Sequence, residues 1–361
     1  MIHKTNIHYI FKIFLMFLII CQFHYMYSEE TPFLPTDNAY NPIPSPDGTK
    51  IAFVRTGNGR SPILSMGRYD MRSDVMVADK NGKLISEKPL ADSFLAGWTP
   101  DSNNLVCYRD GRFSLVNLQG NKTEEGHIPD PINGPERIQY STKIDAFVWH
   151  GHGTKCNAVI SEKGTEIAHY DGNFSDWLSI SGDGQWLATI SDRGFIVFNM
   201  TDDTWINLGN VTIHPDFSGL DYKTAWNPWF KDNTYLSYIS KNKVVVALPD
   251  GKEKRELCTV ENNCGLATPS PDGRHIAYVM FVKKQREIKD NETPWESSQI
   301  WLVSNDDDIP KPIPVTSENK ALIFNLRWLD NDEIIFDRFE DTSLFAHAGL
   351  WRVKISFEDE N

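Results

Sequence analysis

His150 and His152 flank Gly151, and two imidazoles at this spacing on a turn could join a metal site. The chain has no Cys-x-x-Cys and no Cys/His cluster at zinc-like spacing, so the pair reads as turn residues and no metal is expected. Asp306-Asp307-Asp308 and the run from Asp330 to Glu333 offer oxygen ligands for calcium. Neither has the alternating spacing of a dedicated calcium loop, and acidic residues are ordinary between strands. A nucleophilic serine would need a Gly-x-Ser-x-Gly elbow, and a phosphate site a glycine-rich loop running from strand to helix. Both are absent from the sequence. No catalytic residue and no cofactor are therefore expected.

Cysteine usage and the N-terminus concern compartment. Lys4 and Lys12 precede the apolar run Ile13–Cys21, which is too short to span a bilayer and has the length of a signal-peptide core. Residues 1–28 are read as a signal peptide and 29–361 as the exported, secreted or periplasmic chain, with no membrane insertion after cleavage. An uncleaved anchor is the rival reading. In an oxidising compartment Cys258 and Cys264, separated by a turn-forming Glu-Asn-Asn, are expected to form a disulfide, whereas Cys107 and Cys156 sit in apolar strand patterns as buried thiols. The net charge of −13 argues against nucleic acid or anionic lipid as a non-specific partner. Five Asn-x-Ser/Thr sequons, at Asn121, Asn173, Asn199, Asn210 and Asn291, are glycan acceptors only in a eukaryotic secretory route.

These residues must be positioned by a repeat. Ser45-Pro46-Asp47-Gly48, Thr99-Pro100-Asp101-Ser102, Ser181-Gly182-Asp183-Gly184 and Ser270-Pro271-Asp272-Gly273 share one pattern. Each is followed by an apolar strand such as Ile51-Ala52-Phe53 or Ile276-Ala277-Tyr278. Weaker copies begin at Asp232-Asn233 and Asp330-Asn331. The chemistry is that of a hairpin turn: Pro presets φ, Asp bonds its own backbone, and Gly or Asn accepts φ > 0. A seventh copy is read at Trp149–Gly153 ahead of Cys156–Val159, with Trp149 aligned to Trp98, Trp229 and Trp328. The period of about 47 residues and the lack of any helical pattern give an all-β fold of four-stranded antiparallel propeller blades. Seven blades are favoured and six is the alternative, because the step from Gly153 to Gly184 is short. With seven blades, the blade over that step would lack its outer strand. Thr31–Leu34 is expected to complete the last blade and close the ring.

The Ser-Pro-Asp-Gly turn followed by an Ile-Ala-Phe strand resembles the TolB-type propeller repeat. The resemblance implies the fold only, since the α/β domain that precedes the propeller in TolB has no counterpart here.

Departures from the repeat point to a binding site. Connections between second and third strands are short at Asp110-Gly111, Glu162–Gly164, Asp192–Gly194 and Ser240–Asn242. They are long at Thr56–Ser73, Lys283–Ser298 and Arg338–Gly349. Ring closure makes the three long ones neighbours. The first carries Arg60, Arg68, Tyr69 and Arg72; the others carry Lys283, Lys284, Arg286 and Trp295, with Phe345 and His347. Basic and aromatic side chains on an acidic chain suit a protein, peptide or acidic glycan partner. The expectation is an exported, non-enzymatic scaffold. A metal-dependent lyase or lactonase-like propeller enzyme and a structural envelope component are the alternatives.

Overall fold

The computed structural model describes residues 27–34, 38–56, 73–99, 101–109, 112–127, 135–141, 146–151, 156–161, 166–171, 174–191, 194–202, 204–211, 226–261, 263–285, 295–307, 310–317, 321–340 and 348–356. Among them there is no helix.

The repeat turn shows why its residue types recur. The Ser45 hydroxyl donates to Asp47 Oδ1 at 2.5 Å and accepts the Lys50 N–H at 3.0 Å. Asp47 Oδ1 also accepts the Thr49 N–H at 3.0 Å, and Gly48 sits at φ 69°. Thr99/Asp101, Ser181/Asp183 and Ser270/Asp272 repeat the hydroxyl-to-carboxylate bond at 2.6 Å. In two blades the position with φ > 0 is not glycine: Ser102 has φ 60° and Asn233 φ 59°. Both side chains cap the preceding blade's turn. Ser102 Oγ accepts the Asp47 N–H, and Asn233 Oδ1 accepts the Gly182 N–H.

From each turn a meandering sheet grows outward. The first blade holds β2 (Ala39–Pro44), β3 (Lys50–Arg55), β4 (Asp74–Asp79) and β5 (Ala91–Asp92); the second β6 (Phe94–Trp98), β7 (Asn104–Arg109), β8 (Arg112–Asn117) and β9 (Lys122–His127). The third holds β10 (Pro135–Ser141), β11 (Ala146–Gly151), β12 (Cys156–Ser161) and β13 (Glu166–Asp171); the fourth β14 (Phe174–Ile180), β15 (Trp186–Ser191), β16 (Gly194–Asn199) and β17 (Thr204–Gly209). The fifth sheet has three strands, β18 (Leu236–Ser240), β19 (Lys243–Ala247) and β20 (Lys254–Thr259), with an isolated Trp229–Leu236 bridge on its inner side. The sixth holds β21 (Cys264–Pro269), β22 (His275–Lys283), β23 (Trp295–Ser304) and β24 (Ile313–Pro314). The last holds β25 (Leu322–Asp330), β26 (Glu333–Phe339), β27 (Ala348–Ser356) and β1 (Tyr27–Pro32). Six four-stranded antiparallel blades and the three-stranded sheet thus make a β-propeller.

Each blade is sandwiched between two others, so its middle strands are covered on both faces. That is why Ile51–Val54 and Leu105–Tyr108 are continuous buried runs rather than alternating ones. Tryptophans tie blade to blade: the indole N–H of Trp98 donates to Ile43 O, that of Trp229 to Ser179 O and that of Trp328 to Thr268 O. In each case the acceptor lies on the inner strand of the preceding blade.

The ring closes as expected, through the N-terminus. β1 pairs antiparallel with β27 from Tyr27↔Ser356 to Pro32↔Trp351. The pairing takes in Thr31 and Pro32 of the expected Thr31–Leu34 and continues in the Phe33 N–H bond to Leu350 O, but it begins earlier, at Tyr27, so that Ser28, the expected signal boundary, falls inside the strand. A second correction concerns the third blade. Trp149 and His150 belong to its second strand, β11, so residues 152–155 join the second strand to the third and not the first to the second. The repeat turn there lies between Ser141 and Ala146, which removes the anomalous short step. Glu162–Gly164 accordingly joins the third strand to the fourth. The third blade therefore lacks no outer strand, and the abbreviated sheet is the fifth, at its inner edge.

Candidate functional site

The last two blades are taller than the rest. β22 has nine residues, β23 ten, β25 nine and β27 nine, against six in β3, β4, β7 and β8. At a rise of about 3.3 Å per residue the extra three residues lift these hairpins by about 10 Å. They lift the face from which the three long connections leave. The stems are Arg55 and Asp74, Lys283 and Trp295, and Phe339 and Ala348. Blades six, seven and one are consecutive around the ring, so the stems stand side by side. β25 packs against β23 on one side and β2 on the other.

An aromatic column braces the raised stems. Phe281 lies 5.8 Å from Trp295 and 6.4 Å from Phe324, and Phe324 lies 4.9 Å from Phe339 in an edge-on contact. Beside it the Arg338 guanidinium sits 4.3 Å from the Trp351 ring and 3.4 Å from Glu30. Glu30 also accepts from the N–H and hydroxyl of Ser317. One carboxylate on the N-terminal strand thereby holds blades six and seven together.

Asp337 is completely buried at the seam. Its Oδ1 accepts the N–H groups of Phe324 and Asn325, at 3.1 and 2.9 Å, and its Oδ2 accepts the Asn41 N–H at 3.2 Å and the Asn325 side-chain amide. Asn41 has φ 54° in a bulge of β2, and Asn325 lies in a bulge of β25. Burial pushes the Asp337 carboxyl above its usual range, against the opposing pull of these donors. Burial likewise pushes the neighbouring Tyr40 hydroxyl up to about 12.

The residues expected to bind are divided by this geometry. Lys283 is exposed at the end of β22. Lys284 is only 8% and Trp295 only 3% exposed, because β23 starts at Trp295 and carries that ring into the aromatic column. Trp295 supports the loop stems from beneath. Arg60, Arg68, Tyr69, Arg72, Arg286, Phe345 and His347 lie outside the described residues. His152 does too, and among the described residues no group of three His, Cys, Asp or Glu side chains is placed to hold a metal.

The opposite face carries a feature that spacing did not announce. A cavity of about 780 Å³ opens at the mouth of the central channel. Its wall includes Asn41, Pro44, Phe94, Ile180, Arg327 and Asp330. The inner strands β2, β6, β14, β21 and β25 converge there with Trp226 and Trp229 of the fifth sheet, which no local window of sequence could show.

Cys258 is the penultimate residue of β20 and Cys264 begins β21. The disulfide expected between them is not formed in the structure: both are thiols and share one apolar cluster. Burial pushes Cys258 up to about 11 and, with Glu261 nearby, Cys264 up to about 12. Cys107 is fully buried, as its strand pattern implied.

No family model matches the chain, and no curated protein does. Solved structures do resemble it. A streptogramin B lyase structure aligns at TM-score 0.55 and 14% identity, covering 92% of this chain and 98% of that one. The β-propeller domain of Cps50 (Swd1) from Myceliophteria thermophila aligns at TM-score 0.55 and 10% identity, covering 92% and 99%. At such identities the likeness establishes the propeller and nothing finer.

Proposed function

We propose that this chain is an exported, non-enzymatic propeller of the TolB-repeat type that captures a protein, peptide or acidic glycan on the raised sector of blades six, seven and one. One observation carries the reading: three long connections leave adjacent stems, two of them on tall hairpins braced from below. Rigid scaffolds commonly present binding loops in this way. The Arg68, Arg72 and Arg286 side chains bring positive charge to one sector of a chain whose net charge is −13, so an anionic partner is favoured.

Replacing those three arginines with Ala tests it. Exposed loop changes cost about 0.5 kcal/mol or less each, so the fold persists. Capture of the partner from the native compartment is lost, and wild-type capture weakens as salt rises. Identical partners for wild type and variant would move the site to the channel mouth. The cavity there favours the rival reading, a propeller enzyme acting on a polysaccharide or lactone, and metal analysis of the purified protein separates the two.

A further inference from the structure

The cavity at the channel mouth, about 780 Å³, has the size of a small-molecule site. Its charge runs against that of the chain. Asp and Glu outnumber Lys and Arg by 49 to 36 in the sequence, yet the charged residues of the wall are Lys80, Lys231 and Arg327 against Asp47 and Asp330. Asp47 is already in an ion pair with Lys50, at 2.9 Å. Arg327 comes from β25; the inner strands β2, β6, β14 and β21 bring no charge to the wall. Its guanidinium donates to Leu326 O at 3.4 Å. With five N–H groups in a planar fork, a guanidinium can keep protein partners and still grip a carboxylate.

The rest of the wall narrows the ligand. Ile43, Pro44, Phe94 and Ile180 are half-buried there, so a ligand meets apolar surface beside the cations. The carbonyls of Ile43, Ser179 and Thr268, which would repel an anion, each accept an indole N–H. Asn41 is 8% exposed, and its Oδ1 meets no donor in the structure. A buried acceptor without a donor costs free energy that a ligand hydroxyl would return. Asn41 and Arg327 lie on β2 and β25, which pack against each other, and Phe94 starts the next inner strand, β6.

We propose that the channel mouth binds a sugar acid, a hydroxylated ring bearing a carboxylate. Its carboxylate sits on Arg327, a hydroxyl meets Asn41, and a ring face lies on Ile43 and Phe94. The site is on the face opposite the long connections and is independent of what they hold.

Calorimetric titration of full-length protein with glucuronate, galacturonate and uncharged glucose tests this, with thermal melts as the check on folding. Wild type binds at least one uronate, more weakly as salt rises, and glucose about tenfold more weakly or not at all. Arg327→Gln weakens uronate binding about tenfold or more, and Lys80→Gln, an exposed change on the rim, weakens it severalfold. The variant lacking the loop arginines 68, 72 and 286 binds uronate as wild type does. Three results overturn the proposal: no uronate binding, glucose bound as tightly as uronate, or uronate binding indifferent to both folded variants. Uronate binding lost with the loop arginines and kept in Arg327→Gln also overturns it, and leaves acid recognition to the loop sector alone.

Discussion

Asp337 accepts the backbone N–H of Asn41 at 3.2 Å across 296 residues of sequence, at the seam where the last blade meets the first. All four groups that meet this carboxylate are donors, so the site needs an acceptor on both oxygens. Asp337→Asn turns one oxygen into a competing donor. The variant is expected to lose about 1–3 kcal/mol, the usual penalty for leaving buried donors unpaired. The pH dependence has a defined sign. The folded carboxyl is raised above its unfolded value, so the folded state binds the proton more tightly. This group's contribution to stability is greatest below the unfolded carboxyl range and falls as pH rises through the folded value. Denaturant titrations at several pH values, with and without the substitution, measure both effects; a variant as stable as wild type would remove Asp337 from the seam's energetics.

Ser102 combines a left-handed backbone, φ 60°, with a hydroxyl that accepts the Asp47 N–H at 3.1 Å. Ser102→Gly relieves the backbone and loses the bond, so the two effects, each about 1 kcal/mol, nearly cancel. Ser102→Ala keeps the strain and loses the bond. The alanine variant is expected to be about 1 kcal/mol less stable than the glycine variant. Equal melting temperatures for these two variants would show that the left-handed backbone costs nothing, and a glycine variant about 1 kcal/mol more stable than wild type would show that the inter-blade cap contributes nothing.

Cys258 and Cys264 are expected to join under oxidising conditions, closing a short loop worth about 2 kcal/mol on the chain-entropy model. Their raised thiol values, about 11 and about 12, mean that little thiolate exists near neutrality. Bridging is therefore slow at neutral pH and accelerates as pH rises. Mass spectrometry after alkylation without reductant reads it directly: two modified thiols in oxidised protein would rule the bridge out.

The turns were legible because their chemistry is local. Ser45 and Asp47 are two residues apart, and the bonds between them close within one short segment. The third blade was misread for the same reason. Trp149-His-Gly-His-Gly153 imitates the repeat motif, while the segment that turns there, between Ser141 and Ala146, carries no Pro-Asp-Gly. The two later long connections were overestimated because β22, β23, β26 and β27 continue into polar residues such as Ser297, Ser298 and Arg338. Strand pairing, not hydropathy, extends those hairpins. Trp295 looked like a surface anchor for that reason. Asp337 was invisible as a hub because Phe336 and Arg338 flank it as in any alternating strand, and two of its partners sit 12 and 296 residues away.

The pairing of Tyr27–Pro32 with Trp351–Ser356 also dictates an order of events in time. Blades built from sequential hairpins have contacts of short sequence separation and can form as each segment becomes available. The closing contact spans more than 300 residues, and its loop-closure entropy must be met before any stabilisation returns. Until β27 exists the ring has two raw edges, and a chain truncated before Ala348 could not seal them. Among the described strands, the first to be synthesised is the last to find its partner.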